Sequence, residues 1–140
     1  MEFRKLDNIQ VNQLSPLVLA FVGDSVFDLF IRSRLAIKKR ESAHKMHVKA
    51  TRYVKASAQS RIVEVVYDKF TDEEKTVFRR GRNAKSATIP KHADVIDYRR
   101  STAFEAVLGY LYLIGRKERL LEILDMAAKV IEEGEGPNGQ

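Results

Sequence analysis

Cysteine is absent from the 140 residues, which excludes disulfides, thiolate zinc sites and cysteine nucleophiles. The chain also lacks an apolar run long enough to span a bilayer, because Asp24 and Asp28 interrupt the run from Leu17 to Phe30. Residues 1–7 do not have the charged-then-apolar order of a signal peptide. Together these absences predict a protein of the reducing cytoplasm that has no membrane partner.

The chain is basic, with 25 Lys and Arg against 19 Asp and Glu and a formal net charge of +6. A positive surface attracts nucleic acid or anionic membrane, and many basic proteins bind neither. The sign of the charge alone therefore does not identify the partner. The length suits one compact domain with a real core. We expect this domain over residues 1–133 and a disordered, glycine-rich tail over residues 134–140.

Apolar residues recur at helical spacing along most of the chain, which predicts an all-α fold. Ser15 and Pro16 form a plausible N-cap and first helical position, and the helix after them is apolar almost all round. Such a helix should be central and buried. Thr71 and Glu74 form a capping box at the start of another helix. We expect helices over about 16–36, 42–70 with a break near Ser57, 71–81, 93–114 and 117–132, after a single turn within 3–9.

Two lone acids, Asp24 and Glu105, lie inside apolar helical sequence. Carboxylates are rarely buried unless they are paired or bind a metal. Each has a glycine nearby, Gly23 or Gly109, and a glycine inside a helix suggests close approach of another backbone or a ligand. An ion pair between Asp24 and an arginine of another helix is the plain alternative. In a basic protein, the two acids favour a metal site that acts on a polyanion.

Hard cations such as Mg²⁺ take carboxylate and water oxygens as ligands, and they lower the pKa of a bound water. We therefore expect Mg²⁺, with Mn²⁺ as a substitute, to be held by Asp24 and Glu105. Asp94, Asp97 and Ser101 step towards Glu105 along one face of a helix. This row is either part of the metal and phosphate site or an ordinary exposed polar face.

The segment Arg79–Ser86 groups four cations, an asparagine and a serine around a glycine. Such donors suit contacts to the phosphates and 2′-hydroxyls of an RNA duplex, and the alternative is a solvated charged loop. The candidate RNA-binding residues are Arg79, Arg80, Arg82, Asn83, Lys85 and Ser86. Lys45, Lys49 and Arg52 are candidates for extending this surface.

Three segments resemble the Mini-ribonuclease III group of the ribonuclease III family, which lacks a separate double-stranded-RNA-binding domain. They are Leu19–Phe27, Arg79–Ser86 and Tyr98–Leu111, in this order, and the likeness covers almost the whole chain. The resemblance implies a ribonuclease III endonuclease-domain-like helical bundle that works as a homodimer. It also implies divalent-metal cleavage of both strands of double-stranded RNA, with the precursor of 23S ribosomal RNA as substrate.

Within these motifs, Asp24 matches the signature aspartate tied to catalysis, and Glu105 matches a metal-binding glutamate. Larger family members carry further acids where this chain has Ala20 and Thr102. The resemblance therefore implies a metal site with fewer carboxylates and more water. Other acids that could contribute are Glu41, Asp94 and Asp97.

The sequence thus predicts a Mg²⁺-dependent, double-strand-specific endoribonuclease. The main alternative is a non-catalytic helical RNA-binding module on the same fold, and a further one is a plain helical interaction protein. The presence of Asp24 and Glu105 favours the endoribonuclease over the RNA-binding module, because a binding module gains little from buried acids. The first long helix and the Phe104–Leu113 segment are the candidate dimer surfaces.

Overall fold

The computed structural model describes residues 4–85 and 89–134, and these residues form helices and connections without a strand. The predicted all-α class is therefore confirmed. The helices are α1 (Asn8–Asn12), α2 (Pro16–Lys38), α3 (Ala43–Val54), α4 (Ala56–Val66), α5 (Asp72–Asn83), α6 (Val95–Leu113) and α7 (Lys117–Gly134), with a 3₁₀ turn at Tyr67–Lys69. None of these helices is both long and apolar enough to cross a membrane.

The predicted helix starts are confirmed by side-chain caps. The Ser15 hydroxyl accepts a hydrogen bond from the amide of Val18, and Pro16 opens α2. Thr71 and Glu74 form the full reciprocal capping box of α5. These caps satisfy amides that have no partner inside the helix.

The helix boundaries differ from the prediction in several places. The helix expected over 42–70 divides at Lys55, whose extended ψ of 153° separates α3 from α4, a little before the expected Ser57. The first turn lies at Asn8–Asn12 rather than within 3–9. α7 continues to Gly134, where the tail was expected to begin, and the rest of that tail, 135–140, lies outside the described residues.

α6 is the centre of the bundle, and α2 crosses it at backbone contact. A Cβ on Gly23 would lie 1.7 Å from the carbonyl oxygen of Glu105, and one on Gly109 would lie 1.9 Å from that of Leu19. Only glycine fits at either position, since the obstacle is backbone. The close approach predicted from these glycines is therefore confirmed, with the other helix as the neighbour.

α2 buries only one of its two apolar faces. Leu19 and Phe27 are buried on the inner face, and the Phe27 ring meets Phe104 of α6 edge-on at 5.5 Å. On the outer face Phe21 is 78% exposed and Leu29 is 68% exposed. The prediction of a wholly buried helix is wrong for this face, because the single chain covers only the side of α2 that contacts α6.

A buried ion pair fixes α5 against α7. Glu74 is 1% exposed, and its carboxylate accepts hydrogen bonds from Arg119 at 2.9 and 2.8 Å. Arg119 also donates to the carbonyl of Lys69 at 2.8 Å. At the other end of α5, a Cβ on Gly81 would come within 2.9 Å of the Cα of Ala103. α5 is thus held at both ends, and its last turn lies beside α6.

Candidate active site

The α2–α6 crossing brings Asp24 and Glu105 together. The Gly23 backbone lies on the Glu105 carbonyl, so the next residue of α2, Asp24, stands beside the Glu105 side chain. The two carboxyl groups are close enough for a hydrogen bond between them. Residues that are 81 positions apart in sequence therefore form one acidic pair at a rigid helix crossing.

The two acids differ in burial. Glu105 is half-buried, whereas Asp24 is exposed, so the expectation that both are buried is wrong for Asp24. Asp24 lies at the border between the inner and outer faces of α2, and the outer face has no cover in the single chain. Within the described part of the chain, neither acid forms an ion pair with a lysine or arginine. The alternative of an Asp24–arginine pair is therefore not seen.

Burial raises the pKa of Glu105 to about 8. A hydrogen bond from Gln59 opposes this change, and the charge and hydrogen bond of Asp24 add to it. Desolvation disfavours the ionised form of a carboxyl, and so does a second carboxylate at its side. At neutral pH the raised pKa therefore favours the protonated form of Glu105.

Gln59 is a site residue that the sequence reasoning missed. It is 2% exposed, and its Nε2 donates to Glu105 Oε2 at 3.1 Å and to the carbonyl oxygen of Val54 at 2.8 Å. The available signal was its spacing, because Gln59 precedes the core residues Ile62 and Val63 of α4 by three and four positions. A polar residue on the apolar face of a helix needs a partner, and here that partner is Glu105.

The donor set of this site fits a hard cation that retains several waters. Asp24 and Glu105 offer carboxylate oxygens at a half-open position, which is the kind of site Mg²⁺ takes. Among residues 4–85 and 89–134, no group of three or more acids and histidines is arranged to hold a metal. The pair is thus lean in carboxylates, as expected from the residues at positions 20 and 102.

The three further candidate acids do not join this pair. Glu41 binds the ammonium of Lys49 at 2.7 Å, and this bond lowers the pKa of Glu41. Asp94 caps α6 by accepting from the amide of Asp97 at 2.9 Å. Neither Asp94 nor Asp97 forms a three-ligand group with Glu105 in the described part of the chain. Their expected use as extra metal ligands is therefore not supported by the geometry.

Ala20 and Thr102 leave the neighbouring positions without charge. Ala20 is buried in the core, and Thr102 is nearly buried, with its hydroxyl donating to the carbonyl of Tyr98 at 3.0 Å. Thr102 also lines a cleft between α6 and the end of α5. Water and substrate oxygens would have to supply the ligands that extra acids supply in larger relatives.

The predicted RNA-binding residues lie mostly on a helix rather than in a loop. α5 extends to Asn83, so four of the candidates occupy its last turns: Arg79, Arg80, Arg82 and Asn83. Arg80 is half-buried, whereas the other three and Lys85 are exposed. Ser86 lies outside the described residues. Basic side chains at a helix C-terminus also interact favourably with the helix dipole, which helps explain why α5 runs past Gly81.

A cleft of about 270 Å³ lies between this basic turn and α6. Gly81, Ala84 and Lys85 line it from the α5 side, and Arg99 and Thr102 line it from α6. Thr102 is almost one helical turn before Glu105. The cations Lys85 and Arg99 border the cleft, and neither Asp24 nor Glu105 lines it.

The basic face of α3 is only partly available. Lys45 and Arg52 are exposed, but Lys49 is half-buried and bound to Glu41. Lys49 is therefore a poor candidate for a phosphate contact, because it already neutralises an acid of its own chain. Lys45 and Arg52 stay candidates.

The comparisons with known proteins agree with the fold and the motifs. The family model of the ribonuclease III domain matches residues 17–116. The chain is 50% identical over 123 residues to Mini-ribonuclease 3 of Thermoanaerobacter sp. (strain X514), covering 88% of this chain and 87% of that protein. It is 41% identical over 133 residues to Mini-ribonuclease 3 of Staphylococcus aureus, covering 91% of this chain and 99% of that protein.

A solved structure supports the same fold. The crystal structure of a Fusobacterium nucleatum protein superposes with a TM-score of 0.76 at 28% identity. The match covers 86% of this chain and 96% of that one. The resemblance seen in the three motifs is thereby confirmed, and the chain belongs to the ribonuclease III family, in its Mini-ribonuclease 3 group.

Proposed function

We propose that this protein is a metal-dependent endoribonuclease that cleaves double-stranded RNA and matures the 23S ribosomal RNA precursor. Family membership supports the coarser statement, an RNA endonuclease. The observation that carries the proposal is the acidic pair, because Asp24 and Glu105 meet with no lysine or arginine of the described chain paired to either. Such a pair favours a divalent cation.

Asp24 and Glu105 would hold Mg²⁺, with Mn²⁺ as a substitute. When bound, the ion lowers the pKa of a water and offsets negative charge on the phosphate that is cut. Glu105 first has to release its proton, because burial raises its pKa to about 8. Asp24, which is exposed, is the carboxylate that substrate can approach, whereas Glu105 is fixed from behind by Gln59.

The RNA duplex would contact the basic end of α5. Arg79, Arg82 and Lys85 are exposed and form no ion pair with another described residue. Lys85 and Arg99 both border the cleft between the end of α5 and α6. Contacts of this kind bind phosphates irrespective of base sequence, so the duplex form rather than the sequence would be recognised.

The choice of the 23S precursor as substrate rests on the resemblance of the three motifs to the Mini-ribonuclease III group, since sequence-independent contacts do not select one RNA. Because ribosomal RNA precursors are made in the cytoplasm, the same proposal implies a cytoplasmic protein. An in vitro transcript of the precursor stem is therefore the substrate of choice. Cleavage of that stem in preference to an unrelated duplex of equal length would support the narrower proposal.

The outer face of α2 supports the proposal of a homodimer. Phe21 and Leu29 are exposed there, two turns apart, beside Asp24. A row of exposed apolar residues on one helix is typical of a protein interface. The other candidate surface, Phe104–Leu113, is wrong as a dimer surface, because its residues up to Leu111 are buried in the chain's own core, Glu105 excepted.

The decisive experiment uses a defined RNA duplex, the matching single strand and a DNA duplex. The wild type should cut only the RNA duplex, and only with Mg²⁺ rather than EDTA. Asp24→Asn and Glu105→Gln should stop cleavage while duplex binding persists. Asp28→Asn is the matched control, because Asp28 lies on the same helix but pairs with Arg32 at 2.9 Å. Duplex binding by the wild type without any cleavage would instead favour the non-catalytic RNA-binding module.

A further inference from the structure

Gln59 connects the Glu105 carboxylate to the junction between α3 and α4. Its Nε2 carries two hydrogens, and both are used, one towards Glu105 Oε2 at 3.1 Å and one towards the Val54 carbonyl at 2.8 Å. The side chain is 2% exposed, so water does not compete for these bonds. The amide is therefore held in one orientation by its two acceptors.

The break at Lys55 explains why the Val54 carbonyl is available. In a continuous helix this carbonyl would accept from the amide of residue 58, but the extended ψ of 153° at Lys55 ends α3 there. The Gln59 side chain takes the place of that amide. The backbone N–H of Gln59 donates to the Lys55 carbonyl at 3.0 Å. The side chain therefore starts from a fixed first turn of α4.

The side-chain oxygen of Gln59 indicates that this residue does not serve stability alone. Its Oε1 is buried and has no hydrogen-bond partner among the described residues. A buried acceptor without a partner destabilises a fold, and an apolar side chain of the same shape would avoid that cost. A glutamine at this position thus favours the bond to Glu105 over packing.

We propose that Gln59 is a positioning residue of the metal site: it fixes Glu105 Oε2 so that the carboxylate presents Oε1 for the cation. The inference rests on the proposed function, since it assigns a role towards the metal. Partners that orient a metal ligand commonly change metal affinity or activity when they are removed. Gln59 would do so without touching metal or RNA.

The test substitutes Gln59→Met, which retains length and volume but has neither donor. Ser60→Ala is the matched control, because Ser60 is the next residue of α4, is also buried, and bonds Arg100 at 3.2 Å instead of Glu105. Binding of Mn²⁺ is measured directly by the electron paramagnetic resonance signal of the free ion. Duplex binding in EDTA and the urea midpoint are measured alongside.

In Gln59→Met we expect Mn²⁺ binding to weaken about 10- to 100-fold, the range for lost orienting partners. The Mg²⁺ concentration for half-maximal cleavage should rise by a similar factor, with duplex binding in EDTA unchanged. Ser60→Ala should match the wild type in metal binding. A Gln59→Met protein that is less stable but binds Mn²⁺ like the wild type would overturn the proposal, since the role would then be structural.

A second measurement on the wild type decides the matter if Gln59→Met does not fold. The side-chain NH₂ resonances of Gln59 in ¹⁵N-labelled protein should shift on Mg²⁺ addition, and they should not shift in Glu105→Gln. Unmoved resonances in a wild type that does bind the metal would overturn the role of Gln59 and leave the proposed function standing. A wild type that binds neither Mg²⁺ nor Mn²⁺ would overturn both.

Discussion

The backbone of Gly23 lies directly on the carbonyl of Glu105, so that a Cβ there would be 1.7 Å from the oxygen and 2.6 Å from the carbon. No side-chain rearrangement can relieve such a clash, because the neighbour is the backbone of the central helix. The same contact places Asp24 beside the Glu105 carboxyl. Helix packing and site geometry therefore depend on one glycine.

Gly23→Ala should accordingly push α2 away from α6 and separate the two carboxyl groups. We expect the free energy of unfolding to fall by about 1 to 3 kcal/mol, the usual cost of overpacking a core, with loss of cleavage. Urea unfolding and duplex cleavage are the measurements. Gly134→Ala is the control, because its Cβ would meet only Arg61 at 3.7 Å. Wild-type stability of Gly23→Ala would contradict the close crossing.

The raised pKa of Glu105 predicts a pH-dependent gain in stability for Glu105→Gln. The folded carboxyl titrates at about 8 and the unfolded one near 4.5, so the folded state binds more protons between these values. Stability contributed by this group is therefore full below about pH 4.5 and declines as the pH rises to about 8. In EDTA, the free energy of unfolding of Glu105→Gln should exceed that of the wild type by roughly 2 to 4 kcal/mol at a pH above about 8. The difference should be smaller at pH 5. Urea unfolding at both pH values would show a constant difference if the pKa of Glu105 were not raised.

Removing two cations at the end of α5 should weaken RNA binding and its dependence on salt. In Arg82→Ala/Lys85→Ala we expect the slope of log Kd against log salt to decrease by about 2, one for each lost phosphate contact. Fluorescence anisotropy with an RNA duplex in EDTA measures this slope. Lys117→Ala/Lys129→Ala changes the net charge equally on exposed positions of α7. Equal slopes in the two double variants would show that Arg82 and Lys85 do not contact the RNA.

Phe21→Glu should convert the proposed dimer into monomers that stay folded. Phe21 is 78% exposed in the single chain, so a charge there does not disturb its core but opposes an apolar interface. Sedimentation velocity would show the change in mass, and urea unfolding would check the fold. Leu121→Glu on α7, where the leucine is 53% exposed, is the control and should sediment like the wild type. A monomeric wild type would refute the dimer.

Arg119→Met should strongly destabilise the fold. Glu74 is buried, and it would lose both hydrogen bonds that Arg119 donates to it. Leaving a buried carboxylate without its partner costs about 3 to 5 kcal/mol. Arg32→Met, which breaks the exposed pair with Asp28, should cost about 1 kcal/mol at most. Urea unfolding compares the two, and similar losses in both would mean that the Glu74 pair is not buried.

Features with a local cause were predictable from the sequence. The caps at Ser15 and Thr71 are confirmed because a side chain there bonds an amide three positions on. The glycines beside the two acids also indicated the helix crossing, since a helix interior has little other use for glycine. The resemblance to the ribonuclease III family supported the pairing of the two distant acids, which helical spacing alone could not give.

Features that depend on distant neighbours were not predictable. A break near Ser57 was expected, but its position at Lys55 was not, because the segment has no glycine or proline; there the Gln59 side chain bonds the Val54 carbonyl. The exposure of Phe21 was hidden because an apolar residue looks the same in sequence whether its own chain or another one covers it. The contact of Gly81 in α5 with Ala103 of α6 likewise joins two distant segments.

α6 is enclosed by the rest of the bundle from Ser101 to Leu111, and Glu105 is the only position in that stretch that is not buried. This stretch of the central helix thus has a single opening to solvent, and the Glu105 side chain lies in it. Substitutions that alter activity cannot be made along this stretch without rebuilding the core. Variation in substrate preference among relatives, and any attempt to engineer it, should concentrate on the rim of that opening, at the end of α5 and the exposed edge of α2.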